Sequence, residues 1–369
     1  MPQSRAARAL KTVLLTRFSA FGDVAMTVPV IYSACRCYPE VRFVLVTRPS
    51  MTSIFVNPPD NLVLFGADVK KEYDGVAGIR RLGAELRDKF SPDILIDLHN
   101  VLRTRLLGAF LRMGGVPSVR LFKPRAHRRA LTRRRNKVML PLISQRARYR
   151  EAFFKAGLPL TERFDGLYDG RSGAPAEDFA AISSPKPIGE KWIGIAPFAA
   201  HAGKIYPPEL MEKVVARFQE DADSGMRLRV FLFGGGDTEK EILEGWASRY
   251  PAVTSLAGKR FGFKAELALL NHLDGMLSMD SANMHLAAIA GTPTVSIWGA
   301  THPYCGFKGW RQSDADMIQV PLPCRPCSVF GDKACYLGDL RCLRAIRPDL
   351  VHDTLARKAG LIPLSKTDR

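Results

Sequence analysis

The stretch that decides the fold is GMLSMDSANMHLAAIAGTPTVSIWGATHP, residues 275–303. It begins with a short apolar run, residues 276–279, which has the length of a buried strand. Residues 284–290 have the composition of a helix, and Gly291 is of the type that commonly ends one. A second apolar run at 294–298 predicts another strand. The stretch is therefore predicted to be a strand–helix–strand unit of an α/β sheet.

Polar residues stand where the first of these strands ends and the helix begins. Asp280, Ser281 and Asn283 are of types favoured at a helix N-cap, and His285 lies in the first helical turn. Ligands of open α/β sheets bind at this edge, and a helix N-terminus suits a phosphate because its N–H groups are unpaired. Helix capping alone explains Asp280 and Ser281, whereas His285 favours a binding site.

The chain has the size and composition of a two-domain globular protein. It contains 369 residues, of which 46% are hydrophobic and 24% charged. No apolar run reaches the ~18 residues of a membrane span. The basic N-terminus is followed by only a brief apolar run and lacks a small-residue cleavage site, so we expect no signal peptide.

Strands alternate with helices in both halves of the chain, which predicts two doubly wound parallel sheets. In the first half, residues 12–16 predict a strand. Residues 24–35 predict one helix, with Pro29 in its first turn or at a kink. A stretch rich in Gly, Ser, Pro and Ala at 165–190 separates the two halves.

The domain organisation follows from this alternation. We predict an N-terminal domain over 1–170, a linker over 171–190, and a C-terminal domain over 191–346. The remaining residues, 347–369, are predicted to contain a last helix. A return of this helix to the N-terminal domain is a further hypothesis.

The chain is strongly basic, with a formal net charge of +18. Residues 120–150 contain twelve Lys and Arg and no Asp or Glu. Such a run is most often a solvated surface, but the absence of acidic residues also favours an anionic partner. The partner classes are nucleic acid, an anionic membrane surface or a phosphorylated substrate.

Four of the seven cysteines lie close together near the C-terminus. Cys324, Cys327, Cys335 and Cys342 have the spacing C-x2-C-x7-C-x6-C. Four thiols in a short segment suit a structural zinc site, but the second pair lacks the tight spacing of a zinc ribbon. Reduced thiols and disulfides are the other two interpretations.

Three stretches resemble glycosyltransferase family 9, the ADP-heptose:lipopolysaccharide heptosyltransferases. They are RFSAFGDVAMTVPV at 17–30, IAPFAAHAGKIYPPE at 195–209, and MDSANMHLAAIAGTPTVSIWGATHP at 279–303. Their order and spacing match the family, so the resemblance spans nearly the whole chain. It implies a GT-B fold, in which two Rossmann-like domains face each other across a cleft. It also implies inverting, metal-independent transfer of a sugar, heptose from ADP-heptose, to a hydroxyl of the lipopolysaccharide core.

The resemblance assigns a catalytic role to Asp23, which ends the first strand-to-helix turn. The acceptor hydroxyl must lose its proton as it attacks the anomeric carbon, and a carboxylate within hydrogen-bond reach can take that proton. Capping of the following helix is the structural alternative for Asp23. Arg17 and Ser19 line the same turn and are expected on the acceptor side, with a structural role as the alternative for Arg17.

The resemblance also implies a donor site in the second half. Lys204 matches a lysine that contacts the donor phosphates, where a fixed ammonium stabilises the leaving nucleoside diphosphate. Asp280 would hold sugar hydroxyls, the backbone at Ser281 and Ala282 would meet the diphosphate, and His285 would aid the phosphate end. Two residues are expected at the nucleoside by spacing, Asp237 at the ribose and Phe261 at the base.

The chain departs from the family at two places in this donor site. The family often has hydroxyl residues where this chain has Ala199 and Ala200. His201 is the candidate to replace the donor contacts of those hydroxyl groups. The family usually has glycine where this chain has Ala282, whose Cβ limits close backbone approach. These departures leave a donor sugar other than heptose open.

The basic segment has a role under this interpretation. The acceptor implied by the resemblance is an anionic, lipid-linked saccharide on the cytoplasmic face of the inner membrane, so the protein is expected to be cytoplasmic and peripherally membrane-associated. Clustered cations attract both the acceptor and the membrane surface. The candidate residues are Arg128, Arg129, Arg133, Arg134, Arg135 and Lys137.

Two alternative functions remain at this point. A nucleotide-sugar epimerase or hydrolase on the same fold requires a second carboxylate at the anomeric carbon, and the sequence shows no convincing one. A basic nucleic-acid-binding protein agrees with the charge, but the basic segment lacks interleaved aromatics and the chain shows no known nucleic-acid-binding motif. We therefore expect no nucleic-acid partner, and no cofactor for catalysis.

Overall fold

A computed structural model of the chain describes residues 10–363. The described chain forms two compact units. The first unit runs to Lys123 and resumes over Gln145–Phe164, and the second comprises Pro124–Ser144 and continues from Asp165. The division after Phe164 lies close to the predicted domain boundary. The basic segment, however, leaves the first unit and belongs to the second, which a continuous N-terminal domain over 1–170 did not anticipate.

The first unit contains a five-stranded parallel sheet. Its order is β3-β2-β1-β4-β5, so the first strand in sequence lies in the middle. Every residue of this central strand is buried, as expected of a parallel strand covered by helices on both faces. The strands are β1 (Thr12–Thr16), β2 (Arg42–Thr47), β3 (Leu62–Gly66), β4 (Ile94–Asp97) and β5 (Ser118–Arg120).

The single helix predicted at 24–35 is wrong, because the chain forms two helices there. Pro29 lies in the first turn of the second helix, where its missing N–H costs no helical hydrogen bond. The Thr27 hydroxyl donates to the Val24 carbonyl at 2.6 Å and helps to end the first helix. The helices of this unit are α1 (Phe21–Ala25), α2 (Val28–Cys37), α3 (Pro49–Thr52), α4 (Gly75–Phe90), α5 (Leu102–Met113) and α7 (Gln145–Lys155).

The second unit contains a six-stranded parallel sheet in the order β11-β10-β9-β6-β7-β8. In both sheets the strand order reverses between the first and fourth strands of the unit, which is the arrangement of Rossmann-like folds. The predicted pair of doubly wound sheets is thus confirmed. The strands are β6 (Lys191–Ala196), β7 (Leu228–Leu232), β8 (Val253–Ser255), β9 (Gly275–Met279), β10 (Thr294–Ile297) and β11 (Met317–Ile318).

Helices cover both faces of the second sheet, and the last of them, Pro348–Lys358, lies within the predicted range 347–369. This helix places Val351 and Leu355 in the core of the second unit, so it packs within that unit. Within residues 10–363, no helix is both long and apolar enough to span a bilayer. The helices are α6 (Arg125–Thr132), α8 (Pro208–Asp223), α9 (Asp237–Arg249), α10 (Phe263–His272), α11 (Ala282–Ala290), α12 (Arg341–Arg344) and α13 (Pro348–Lys358).

The predicted linker is an ordered part of the second unit. The buried Asn271 side chain joins it to α10 and α11: its Nδ2 donates to the carbonyls of Gly170 and Ala290 at 2.7 Å each. Its Oδ1 accepts from the Ala174 backbone N–H at 2.9 Å. Some glycines of the Gly-rich stretch 165–190 have positive φ angles, such as Gly170 at φ 135°, which residues with a Cβ rarely adopt. The glycine content of this stretch therefore reflects its turns.

We predict that Asn271→Ala destabilises the second unit by about 3 kcal/mol, because it leaves two buried carbonyls and one buried N–H without their partner. Urea unfolding followed by circular dichroism measures the change. Ser248→Ala, on the exposed side of α9, is the control and should change stability by less than about 0.5 kcal/mol. Equal stability of the Asn271→Ala protein and the control would show that the segment is not held by this side chain.

Candidate active site

Each sheet brings polar residues together at the point where its strand order reverses. The carboxyl ends of parallel strands share one edge of a sheet, and adjacent strands there diverge into helices on opposite faces. In the first unit this point lies between β1 and β4, and in the second unit between β6 and β9. The residues that follow these four strands include most of the predicted catalytic and donor-binding side chains.

Asp23 is the third residue of α1 and forms an ion pair with Arg17. Its Oδ2 lies 2.5 Å from Arg17 Nη2, and about one-fifth of the Asp23 side chain is exposed. Oδ2 also accepts from the Ala20 backbone N–H, but at a long 3.4 Å. Asp23 therefore caps α1 only weakly, and its main partner is the guanidinium. The capping alternative accounts for little of this geometry.

Arg17 is held on several sides. It is 5% exposed, and its Nη1 donates to the Leu98 carbonyl at 2.7 Å. Its guanidinium lies 5.9 Å from the centre of the Tyr149 ring, and the Tyr149 hydroxyl donates to the Asp23 carbonyl at 3.1 Å. The structural role that the sequence left open for Arg17 is the one this geometry supports, because its charge is directed at Asp23.

His99 also belongs to this group, although sequence reasoning did not include it among the site residues. Its Nδ1 accepts from the Phe18 backbone N–H, and its Nε2 lies 3.4 Å from Ser19 Oγ. Burial, followed by the charges of Arg17 and nearby cations, lowers the pKa of His99 to about 3, so the imidazole is neutral near pH 7. The available signal was the polar sequence after β4. What it did not reveal is that β4 lies beside β1.

In the second unit, Lys204 and Asp280 form a partly buried ion pair. Lys204 follows β6 and Asp280 follows β9, and Lys204 Nζ lies 3.0 Å from Asp280 Oδ2. The Thr301 hydroxyl donates to the same oxygen at 2.8 Å. The predicted donor residues Lys204 and Asp280 are thus brought together. Thr301 was missed, although it lies within the stretch that decides the fold.

The N-terminus of α11 presents backbone donors at this place. Ser281 is the N-cap residue by its extended backbone, but its hydroxyl lies 3.1 Å from Ser278 Oγ and caps no N–H of the described helix α11. Ala282 is the first helical residue, and His285 lies buried in the first turn. The capping interpretation of Ser281 is therefore wrong. The geometry suits an anion at this helix end.

The two predicted nucleoside residues lie farther along the same edge of the second sheet. Asp237 is the exposed first residue of α9, after β7, and Phe261 is half-buried in the loop after β8. The glycine run before α9 has an acidic partner of its own. The Gly235 N–H donates to Glu239 Oε2 at 2.7 Å, so a carboxylate already accepts a hydrogen bond from this turn.

Three of the six candidate cations of the basic segment make packing contacts within the second unit. Lys137 Nζ donates to the carbonyls of Cys324 and Pro326 at 2.9 and 2.5 Å, so its charge is used to hold the chain. The Arg134 guanidinium lies 4.7 Å from the centre of the Tyr336 ring.

Arg128 makes the third of these contacts, with its guanidinium 5.4 Å from the centre of the Phe330 ring. Arg134 is exposed despite its aromatic contact, and the other three predicted residues are exposed too: Arg129, Arg133 and Arg135. The basic segment therefore serves two purposes, packing on the second unit and presentation of positive charge.

The four late cysteines line one small cavity in the second unit. All seven cysteines of the chain are free, so the disulfide interpretation is wrong. In the part of the chain that the structure describes, no group of three or more His, Cys, Asp or Glu is arranged to hold a metal ion. Burial raises the pKa of Cys342 to about 11, which favours the protonated thiol. The four cysteines are thus free thiols in this structure, and the zinc interpretation stays a prediction.

Comparison with known proteins gives a consistent assignment. The profile of glycosyltransferase family 9 (heptosyltransferase) matches residues 79–336. Lipooligosaccharide heptosyltransferase 2 of Campylobacter jejuni is 21% identical over 340 residues, which cover 89% of this chain and 92% of that protein. Lipopolysaccharide heptosyltransferase 3 of Escherichia coli is 27% identical over 311 residues, covering 81% of this chain and 85% of that protein.

A solved structure shows the same fold. The structure of E. coli ADP-heptose lps heptosyltransferase II is 16% identical and superimposes with a TM-score of 0.68, covering 95% of this chain and 99% of that one. The two Rossmann-like sheets are therefore those of the GT-B class. The family match favours a transferase over the epimerase, hydrolase and nucleic-acid-binding alternatives. With its profile covering more than half of the sequence, the chain belongs to glycosyltransferase family 9.

Proposed function

We propose that the protein transfers heptose from ADP-heptose to a hydroxyl of a lipopolysaccharide core acceptor, with inversion and with Asp23 as general base. The observation that carries the proposal is the Asp23 carboxylate, held by a buried arginine where the strand order of the first sheet reverses. The substrates are proposed from the names of the similar proteins, which are lipooligosaccharide and lipopolysaccharide heptosyltransferases.

The second unit supplies positive potential for the donor diphosphate. Lys204 pairs with Asp280, and Asp280 directly precedes Ser281, the N-cap residue of α11. The ammonium and the N–H groups of this helix end can therefore both stabilise the negative charge that grows on ADP as the glycosidic bond breaks. We propose that Asp280 accepts hydrogen bonds from sugar hydroxyls once the donor is bound, while Lys204 turns to the phosphates. The Lys204 ammonium and the N-terminus of α11 supply positive charge that a metal ion would otherwise provide, which supports the expectation that catalysis needs no metal.

The proton balance of the transfer is simple. The acceptor oxygen attacks the anomeric carbon from the face opposite to ADP, its proton passes to Asp23, and ADP departs with the bonding pair. A single displacement of this kind inverts the anomeric configuration. Arg17 keeps the carboxylate in position through its ion pair.

His99 has a positioning role in this proposal. It is neutral, accepts from the Phe18 N–H, and lies beside the Ser19 hydroxyl. Both partners belong to the turn that leads from β1 to α1, which carries Asp23. A charged imidazole would add a cation beside Arg17, so the neutral form keeps the Arg17 charge directed at Asp23.

We propose that the acceptor and the membrane meet the exposed arginines of the basic segment. Arg129, Arg133 and Arg135 provide positive charge without nearby acids in the sequence, and core saccharides carry phosphates and carboxylates. The protein would then act as a peripheral enzyme at the cytoplasmic face of the inner membrane.

Replacement of Asp23 tests its role as the general base. Asp23→Asn keeps the shape of the side chain but removes the proton acceptor, so we expect transfer from ADP-heptose to fall about 10²- to 10⁴-fold. The affinity for ADP should stay within about twofold of wild type, since the donor site is in the other unit. Product formation is followed by mass spectrometry, and ADP binding by calorimetry.

Asp74→Asn, at the N-cap of α4 in the same unit, is the matched control and should transfer normally. Because Asp23→Asn weakens the partner of a buried arginine, its melting temperature is recorded in parallel. A folded Asp23→Asn protein with undiminished transfer would remove Asp23 as the base.

The second prediction tests the donor site. ADP should raise the melting temperature by mass action, and Lys204→Met should weaken ADP binding by about tenfold or more, because a charge-assisted contact is lost. Lys204→Arg, which keeps the charge, should retain most of the affinity. Removal of Lys204 also leaves Asp280 unpaired, so each variant is compared with its own ligand-free protein. Lys213→Met, on the exposed face of α8, is the control.

The third prediction concerns pH. An unfolded histidine binds a proton below about pH 6.5, whereas folded His99 does so only near pH 3, so acid favours the unfolded chain in this window. Stability that is present above pH 6.5 is therefore lost as the pH falls toward 3. By about pH 4.5, wild type should have lost about 2 kcal/mol more than His99→Gln. Parallel pH profiles of the two proteins in urea unfolding would contradict the buried neutral imidazole.

A further inference from the structure

A short apolar segment of the second unit faces solvent. We name it the apolar loop, residues 138–143, with the sequence VMLPLI. Four of its side chains are substantially exposed: Val138 by 41%, Met139 by 42%, Leu140 by 66% and Ile143 by 57%. A contiguous apolar patch of this kind is unusual on a soluble surface and commonly marks an interaction site.

The apolar loop is held in place at both ends. Before it, Lys137 Nζ donates to two backbone carbonyls of the segment that contains the late cysteines. Within it, the Leu142 N–H donates to the Tyr304 carbonyl at 2.9 Å. Gly306 lies against Ile143, and a Cβ on this glycine would approach the Ile143 carbonyl to 3.0 Å. The exposure of the apolar side chains is thus built into the fold of the second unit.

Positive charge precedes the apolar loop directly. Arg133 and Arg135 are exposed just before it, and Arg129 is exposed on the preceding helix α6. The sequence contains no Asp or Glu from residue 98 to residue 150. Apolar side chains next to unneutralised arginines match the two layers of an anionic lipid surface, the acyl boundary and the phosphate headgroups.

We propose that the apolar loop inserts into the interface of an anionic bilayer, with Arg129, Arg133 and Arg135 at the lipid phosphates. This inference rests on the proposed function, because a lipid-linked acceptor requires an enzyme at a membrane. Leu140 and Met139 are the inserting side chains. Pro141 lies between Leu140 and Leu142 and has no N–H, so the loop carries one fewer backbone donor into the apolar layer.

A second copy of the chain fits this surface less well. Two copies joined through the apolar loop would bring their arginines together, and like charges across an interface oppose association. An anionic bilayer neutralises the same arginines. The charge of the surface therefore favours lipid as the occupant.

The test compares binding to vesicles of phosphatidylglycerol and phosphatidylethanolamine with binding to vesicles of phosphatidylcholine. The full chain should sediment with the anionic vesicles. Met139→Ser with Leu140→Ser should weaken this binding about tenfold or more, because two apolar side chains no longer leave water. Ile188→Ser is the matched control, since Ile188 is 96% exposed and lies elsewhere in the second unit.

A fluorescence reporter checks insertion directly. All four native tryptophans are buried, with exposures of 6% or less, so their emission provides a constant background. The emission of Leu140→Trp should shift to the blue with anionic vesicles, and that of Ile188→Trp should not. Arg133→Gln with Arg135→Gln should weaken binding at low salt, and high salt should remove most of that difference.

Several results would overturn the inference. Equal vesicle binding by wild type and the Met139→Ser, Leu140→Ser protein is one, and an unshifted Leu140→Trp spectrum is another. A wild-type dimer that becomes monomeric in the double variant, without a change in vesicle binding, would assign the apolar loop to self-association instead.

A transfer assay with a water-soluble saccharide acceptor separates this inference from the proposed function. The double variant should lose vesicle binding and keep transfer to the soluble acceptor. If wild type transfers no sugar but binds vesicles through the apolar loop, the proposed function fails and the inference stands. If transfer proceeds but the double variant binds vesicles like wild type, the inference alone fails.

Discussion

A buried charge needs a partner, and this constraint shapes the group of candidate site residues in each unit. Arg17 is almost fully buried, and its guanidinium is balanced by Asp23. Asp280 is buried to a similar degree and is balanced by Lys204 and the Thr301 hydroxyl. Removing one member of such a pair costs far more than the pair contributes, because the other member remains desolvated. Each pair therefore keeps a reactive or ligand-binding group in one place within its unit.

Much of the fold could be predicted because the signals are local. The strand–helix–strand unit around Asp280 is predicted by its two apolar runs, by the glycine that ends the helix and by the polar residues at the end of the first strand. His99 was missed because its importance depends on which strands are neighbours, and that is a property of the whole sheet. The contact between the Gly235 N–H and the Glu239 carboxylate likewise becomes visible only in the folded turn.

The basic segment shows why charge alone is a poor guide to a residue's role. Arg128, Arg134 and Lys137 have the same type of charge as their neighbours, yet they lie against aromatic rings or backbone carbonyls. Guanidinium groups stack on aromatic faces, and the ammonium of lysine readily bonds carbonyl oxygens, so both can pack as well as attract anions. Only the three-dimensional contacts separate the packing cations from the presented ones.

Pro124–Ser144 belongs to the second unit although it lies between two parts of the first unit in the sequence, and this affects the order of folding during synthesis. The ribosome makes this segment early, but its partners, among them Tyr304 and Cys324, emerge some 160 or more residues later. The first unit gains its last helix, α7, as soon as residue 155 is available. Until the later residues are synthesised, Lys137 and Leu142 lack the backbone carbonyls to which they donate in the folded second unit.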